Sequence, residues 1–138
     1  MYLTKRGHYA LKALLDMAMQ TQPLVSARDI AQRQAIPMPF LEKILGALAQ
    51  QGLIRSKRGW KGGYELNRPL KEITVAEVLR AIGEYEPPPT TETEWLSIIV
   101  AKRLNHQWQE LLEHLPLSEL YYDALSYQAH QEQGGFLI

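Results

Sequence analysis

The chain has 138 residues, 46% of them hydrophobic, enough for one modest core or a small domain with an arm, but not for two large domains. Its 15 Lys+Arg balance 15 Asp+Glu, and it contains no Cys, which excludes disulfides and every thiolate-ligated metal site. No apolar run reaches transmembrane length and residues 1–6 lack the apolar segment of a secretory signal, so the expected location is the cytoplasm, with no membrane partner.

The neutral total hides an asymmetry. Residues 1–83 carry 13 Lys+Arg and 6 Asp+Glu, net +7, whereas residues 84–138 carry 2 and 9, net −7. The basic half can displace counterions from a phosphate backbone, and the acidic half would face away from it. Two ordinary solvated surfaces would give the same counts.

In chain order, Tyr9, Ala10, Ala13, Leu14, Met17 and Ala18 recur at helical spacing and predict an amphipathic helix over residues 4–20, with Lys5, Arg6 and Lys12 in solvent and Pro23 beyond its end. Ser26 followed by Asp29 suits the N-terminus of a short helix over 27–34, with Ile30 and Ala31 toward the core. Residues 35–38 make a turn. Pro39 fits the first position of the next helix, where Phe40, Leu41, Ile44, Leu45 and Leu48 form a core stripe ending at Gly52. Residues 53–57 and 64–66 then flank Arg58-Gly59-Trp60-Lys61-Gly62-Gly63, whose glycines permit a tight turn close to a ligand backbone. Helix, turn, second helix and basic hairpin in that order predict a winged helix-turn-helix, with double-stranded DNA as the first partner to consider.

Thr74 with Glu77 reads as a capping box opening a helix through Ala81 or Ile82, with Val75, Val78, Leu79 and Ile82 inward. Residues 84–94, with Pro87, Pro88 and Pro89, read as a linker or an ordered loop. A long helix over 95–115 carries Ile98, Ala101, Leu104, Trp108, Leu111 and Leu115 in steps of three and four, the spacing of a helix lying along another, either in a dimer or within the monomer. A last helix over 118–131 precedes Gly134-Gly135 and a frayed tail. The expected fold is mainly α with a small two-stranded β wing, divided into a winged domain (1–83), a Pro-rich linker (84–94) and a dimerisation helix with a C-terminal helix (95–138).

Five stretches together resemble the bacterial Rrf2-type winged-helix regulators, a family that includes iron–sulfur and nitric-oxide sensors: LTKRGHYALKALLDMA, DIAQRQAI, FLEKILGAL, GLIRSKRGWKGGYEL and EITVAEVLRAI. The RG-x-x-GGY-x-L wing of residues 58–66 is the most specific of them. The resemblance implies a homodimer that sets two recognition helices in successive major grooves of a near-palindromic operator, each wing reaching an adjacent minor groove. Arg58 suits insertion of a guanidinium into a narrow minor groove. Glu42 can accept from cytosine N4, and Lys43 can reach guanine or phosphate. Lys57, Lys61, Lys5 and Arg28 are assigned to phosphates, and Phe40 with Gly59, Gly62 and Gly63 completes the expected DNA-binding set. The expected dimer interface is Leu104, Trp108, Leu111 and Leu115.

The chain departs from the family pattern in three places. Pro39 and Phe40 stand where relatives often carry a hydroxyl pair. Trp60 replaces a wing Pro and Lys61 a wing Gly; Trp60 is expected to cover the wing's own core in preference to the sugar backbone. Cluster-binding relatives carry three Cys after the winged domain, and here Arg103 stands where one of them carries a Cys, with His106 at a ligand position and His8 where a partner subunit contributes another. Two imidazoles do not make an iron–sulfur site, so no cluster, no other cofactor and no metal are expected. A divalent site from His8, His106 and Glu92 or Glu94 is not demanded by the spacing. Together His8, Arg103 and His106 mark a candidate effector site for a small molecule or protein, although an Arg103 salt bridge to Glu92, Glu94 or Glu86 is the favoured arrangement.

The expected function is that of a dimeric, cluster-free, sequence-specific transcription regulator, acting as a repressor. The alternative is a protein-interaction adaptor on the same scaffold, disfavoured because an adaptor has no physical need for a basic glycine turn. No catalytic constellation occurs, so an enzyme is not expected.

Overall fold

The computed structural model describes residues 3–134, so the end of the expected tail, from Gly135, lies outside it. The first amphipathic pattern forms α1, Lys5–Met19, with the Gly7 amide donating to the Thr4 hydroxyl at 3.0 Å as its N-cap. Ala10, Ala13, Leu14 and Met17 are buried on it, and so is Asp16, 2% exposed. Arg33 Nε and Nη2 donate to the Asp16 carboxylate at 2.9 and 2.8 Å, and Gln34 Nε2 donates at 2.8 Å. A buried carboxylate lacking such donors would carry a large desolvation cost; with them it ties α2, Ala27–Gln34, onto α1. The hydrogen bond to Asp16 also holds the Arg33 guanidinium above its ordinary pKa, against the opposing effect of burial. Of the three α1 cations expected in solvent, Lys12 donates to the Gln34 carbonyl at 2.7 Å and Arg6 pairs with Glu84 at 3.2 Å, while Lys5 is exposed.

The α2 helix ends at Ala35, in the left-handed region at φ 54°, and the Ile36 amide then donates to the Ala31 carbonyl at 3.0 Å as Ile36 enters the core. Pro37 caps α3, Met38–Gln50, and Pro39 sits in the first turn, where its missing N–H has no intrahelical partner to lose. Leu41, Ile44, Leu45 and Leu48 are fully buried, but Phe40 is not: it is 52% exposed, its ring 6.4 Å from that of Tyr9. One residue is about 100° of helix, which carries Phe40 off the seam that Leu41 and Leu45 define. The exit from α3 is a Schellman closure, with Leu53 N donating to the Leu48 carbonyl and Gly52 N to that of Ala49, both at 3.0 Å. Gly52 supplies the φ of 79° that this reversal requires.

The reversal leads into an antiparallel hairpin of β1, Ile54–Lys57, and β2, Gly63–Leu66, with Ile54 opposite Leu66 and Lys57 opposite Gly63. Val25 bridges the outer side of β2, exchanging bonds of 2.9 and 2.8 Å with Tyr64, so the connection between α1 and α2 is pinned to the sheet edge at that one residue. A 3-10 turn, Leu70–Glu72, was not anticipated. It precedes α4, Val75–Ala81, where the Glu77 amide donates to Thr74 Oγ1 at 3.2 Å. The reciprocal half of the expected capping box is absent, because the Glu77 carboxylate instead accepts from Arg68 Nη1 at 2.7 Å.

Two helices complete the chain, α5, Trp95–Glu113, and α6, Leu117–Glu132. Glu94 caps α5, accepting from the Leu96 and Ser97 amides at 3.2 and 3.0 Å, and those bonds lower its pKa. The junction of α5 and α6 is clasped by the winged unit: Val75 N donates to the Leu115 carbonyl at 2.9 Å, Leu117 N to that of Ile73 at 2.8 Å, and Leu112 and Leu117 are buried in the common core. Trp108 and, just past the helix end, Leu115 pack against the core, and Ile98 and Ala101 are half-buried, whereas Leu104 and Leu111 are 51% and 52% exposed, along with Leu96, Ile99 and Val100.

Asp16→Asn should lower stability by about 2 kcal/mol, less than a fully buried pair would lose because the Arg33 side chain can turn to water. Urea unfolding measures this, and a loss below about 0.5 kcal/mol would show that the Arg33 fork does not anchor α2.

Candidate nucleic-acid interface

The side of α3 opposite its buried seam carries Pro39, Lys43, Gly46 and Gln50, flanked by Glu42 and Phe40, and all six are exposed. A Cβ built at Gly46 meets nothing within 4 Å, so a groove wall can approach the helix there without obstruction. Gly46 and Gln50 were not anticipated. The signal was available, since residues 39, 43, 46 and 50 are the steps of three and four that complement the core stripe. Glu42 and Lys43 make no ion pair among the described residues, which leaves a carboxylate acceptor and an ammonium donor available to base edges.

The wing lies beyond. Arg55 and Glu65 face each other across the hairpin, with Arg55 Nε 2.7 Å from Glu65 Oε1 and Lys57 Nζ 4.0 Å from the same oxygen. The charge of Lys57 is therefore shared with Glu65, while Arg58 and Lys61 are exposed and make no ion pair among the described residues. The tip is tightly closed. Gly62 N donates to the Gly59 carbonyl at 2.9 Å, a Cβ at Gly62 would lie 2.1 Å from the Lys57 carbonyl oxygen, and one at Gly63 would lie 2.7 Å from that of Val25. Only glycine lets the turn fold over Lys57 and lets β2 press against Val25. Trp60 does not cover the wing: it is 90% exposed, because the four-residue strands leave no apolar surface under the tip for it to reach. Arg28, in the first turn of α2, and Lys5, in that of α1, are exposed and likewise make no ion pair among the described residues.

The residues expected at an effector site are not gathered together. Lys102, Arg103 and His106 lie with Ile99 along an open shallow groove of α5, and His8 is exposed on α1 apart from it. The favoured Arg103 salt bridge does not form, in part because Glu94 is engaged in capping its own helix. His106 Nε2 lies 3.9 Å from Glu110 Oε1 one turn on. A more enclosed cleft of about 240 Å3 opens elsewhere, with Leu79, Trp108 and Leu112 against residues 84–88. Beside it the Arg80 guanidinium covers the Tyr85 ring at 4.4 Å and pairs with Glu113; burial pushes the Tyr85 hydroxyl upward, and the Arg80 bond holds Glu113 down.

A helix-turn-helix with an open recognition face, followed by a basic glycine hairpin, defines a winged helix-turn-helix DNA-binding protein. Comparison with known proteins agrees. The family model described as Rrf2, iron-dependent transcriptional regulator, matches residues 3–123. The HTH-type transcriptional regulator slr0846 of Synechocystis sp. is 38% identical over 142 aligned positions, covering 97% of each chain. IscR of Photorhabdus laumondii is 44% identical over 85 positions, which cover 61% of this chain but only 52% of that longer protein. Among solved structures, T. potens IscR superposes with a TM-score of 0.74 at 29% identity, over 90% of this chain and 88% of that one. Staphylococcus aureus CymR in its oxidized form gives 0.74 at 28% identity, over 88% and 96%. The chain belongs to the Rrf2 family of transcriptional regulators.

The iron in the family's description does not fit this donor set. The chain has no thiolate, and no group of three or more His, Asp or Glu among the described residues is arranged to hold a metal ion.

Gly62→Ala should spring the wing tip while leaving the helices intact, because the Lys57 carbonyl must move to admit the methyl group. Amide exchange would then rise at Gly62 and Lys57 with α3 unchanged, and unaltered protection in the wing would contradict the close approach.

Proposed function

We propose that this protein is a homodimeric, sequence-specific repressor that recognises a near-palindromic operator and works without an iron–sulfur cluster. The observation that carries the reading is the wing tip: Arg58, with no carboxylate to neutralise it, on a glycine-closed hairpin that directly follows the exposed face of α3. Arg58 enters the minor groove, where a narrow A·T-rich segment concentrates negative potential. Glu42 accepts from cytosine N4 and Lys43 donates to guanine or to phosphate in the major groove. Lys5, Arg28, Lys57 and Lys61 bind phosphates and set the register, with the Lys57 contribution reduced by Glu65. Residues 1–83 read DNA, 84–94 connect and 95–138 dimerise, the two halves sharing a core through Leu112 and Leu117.

The row of Leu96, Ile99, Val100, Leu104 and Leu111 along α5 is an apolar stripe with the spacing of a helix that packs on a second copy of itself. A dimer explains it and also supplies the two-fold symmetry of a palindromic site. Repression follows from occupancy of a promoter by that dimer.

Selection of bound genomic fragments at physiological salt, followed by footprinting, tests the reading directly. A protected pseudo-palindrome with half-sites about one helical turn apart is expected; no enrichment over random fragments would refute DNA recognition. Arg58→Ala should cost about 1 to 3 kcal/mol at the selected site and less on random DNA, and equal losses on both would reduce Arg58 to a phosphate contact. Leu104→Glu with Leu111→Glu, both outside the core, should leave a folded monomer with sharply weakened operator binding; a double variant that still sediments as a dimer would move the interface elsewhere.

A further inference from the structure

Among the described residues Trp60 is the most exposed of the large apolar side chains, with 90% of its surface in water, and the fold gives no reason for it. It occupies the first central position of the turn closed by the bond from Gly62 N to the Gly59 carbonyl. Neither Trp60 nor Lys61 has a positive φ, so the turn accepts almost any residue at both positions. Lys61 lies against the indole, its Nζ 4.6 Å from the ring centroid over one face. The other face and the ring edges point into solvent from a hairpin that also displays Arg55, Lys57 and Arg58.

We propose that Trp60 is a DNA-contacting residue that lies flat against the deoxyribose wall of the minor groove beside Arg58, with Lys61 behind it on the neighbouring phosphate. The inference rests on the DNA-binding function proposed above and adds the chemical class that this side chain recognises, namely the apolar sugar surface. Charge complementarity selects the occupant: the hairpin carries four cations, of which Arg58 and Lys61 flank Trp60 in sequence and make no ion pair among the described residues, against the single carboxylate of Glu65, which matches a polyanion and repels a basic partner. Stacking geometry selects the mode. Full insertion would stack a base on each face of the indole, and here Lys61 covers one of them. A single open face backed by a cation fits a sugar with its phosphate alongside. Because sugars are alike at every step, Trp60 adds affinity without reading sequence, and because its contact is apolar it displaces no counterions.

Operator binding as a function of salt, with hydroxyl-radical footprinting of the sugars, separates these contributions. Trp60 is 90% exposed, so Trp60→Ala keeps the structure intact. It should weaken binding roughly tenfold on operator and on random DNA alike. The slope of log affinity against log salt should stay unchanged, and protection of the sugars beside the wing should disappear. Lys61→Ala should instead reduce that slope by about one and keep the sugar protection. Unaltered affinity and footprint for Trp60→Ala, or a reduced slope, would overturn the assignment while leaving DNA binding in place. Brightening of a 2-aminopurine at the wing step on binding, lost in Trp60→Ala, would overturn it in favour of insertion. Failure of the wild-type protein to protect any DNA would overturn the DNA-binding reading itself, and this inference with it.

Discussion

The bond network around Asp16 sets the geometry on which the DNA-reading surface depends. Asp16 is buried in the middle of the core stripe of α1, where a carboxylate is tolerable only with its oxygens fully engaged. Arg33 grips it with two nitrogens, Gln34 adds a third donor, and both come from the last turn of α2. The end of α2 is thereby fixed in position and direction, and Ala35 and Ile36 turn the chain from that fixed point into α3. A shift of the anchor would tilt α3 rather than merely loosen a contact. Lys12, reaching the Gln34 carbonyl from the same face of α1, reinforces the arrangement.

Most of the architecture was legible in residue spacing. The steps of three and four in α1, α3 and α5, the Ser26 and Thr74 caps and the glycine hairpin each translate directly into an observed element. What spacing missed was of another kind. Spacing is silent on Asp16, because periodicity does not disclose which donors a distant helix brings to a buried carboxylate. The capping box around Thr74 formed by half, since Arg68 competed for Glu77 from outside the helix. Phe40 was drawn into the core stripe by its hydrophobicity, though it lies one helical step off the seam. Trp60 was assigned a core that strands of four residues are too short to build.

The C-terminal half shows the same limit. Six residues of α5 and its exit fit a single apolar pattern, yet Trp108 and Leu115 pack against the protein's own core while Leu104 and Leu111 are exposed. A helix with two apolar sides has two jobs, and one-dimensional spacing merges them. Arg103 and His106 attracted interest through their alignment with ligand positions in relatives. Without thiolates those positions revert to ordinary surface chemistry: a histidine near a glutamate one turn on, and an arginine in solvent. A more enclosed cleft lies instead against Trp108 and Tyr85, where aromatic bulk from two directions leaves a gap beside residues 84–88.

The clasp between residues 73–75 and 115–117 bears on distance as well as stability. It holds α5 at its C-terminal end through two backbone bonds and the buried Leu112 and Leu117, while the helix extends some 28 Å toward its bare N-terminal part, at the usual rise per residue. Mechanically this is a cantilever with a rigid root. In a pair of such molecules, the point where the two beams cross fixes the separation of the reading heads, so operator phasing becomes a length measured in protein. Small changes at the root, far from any base, would then retune which DNA spacing is accepted without altering a single DNA-facing side chain.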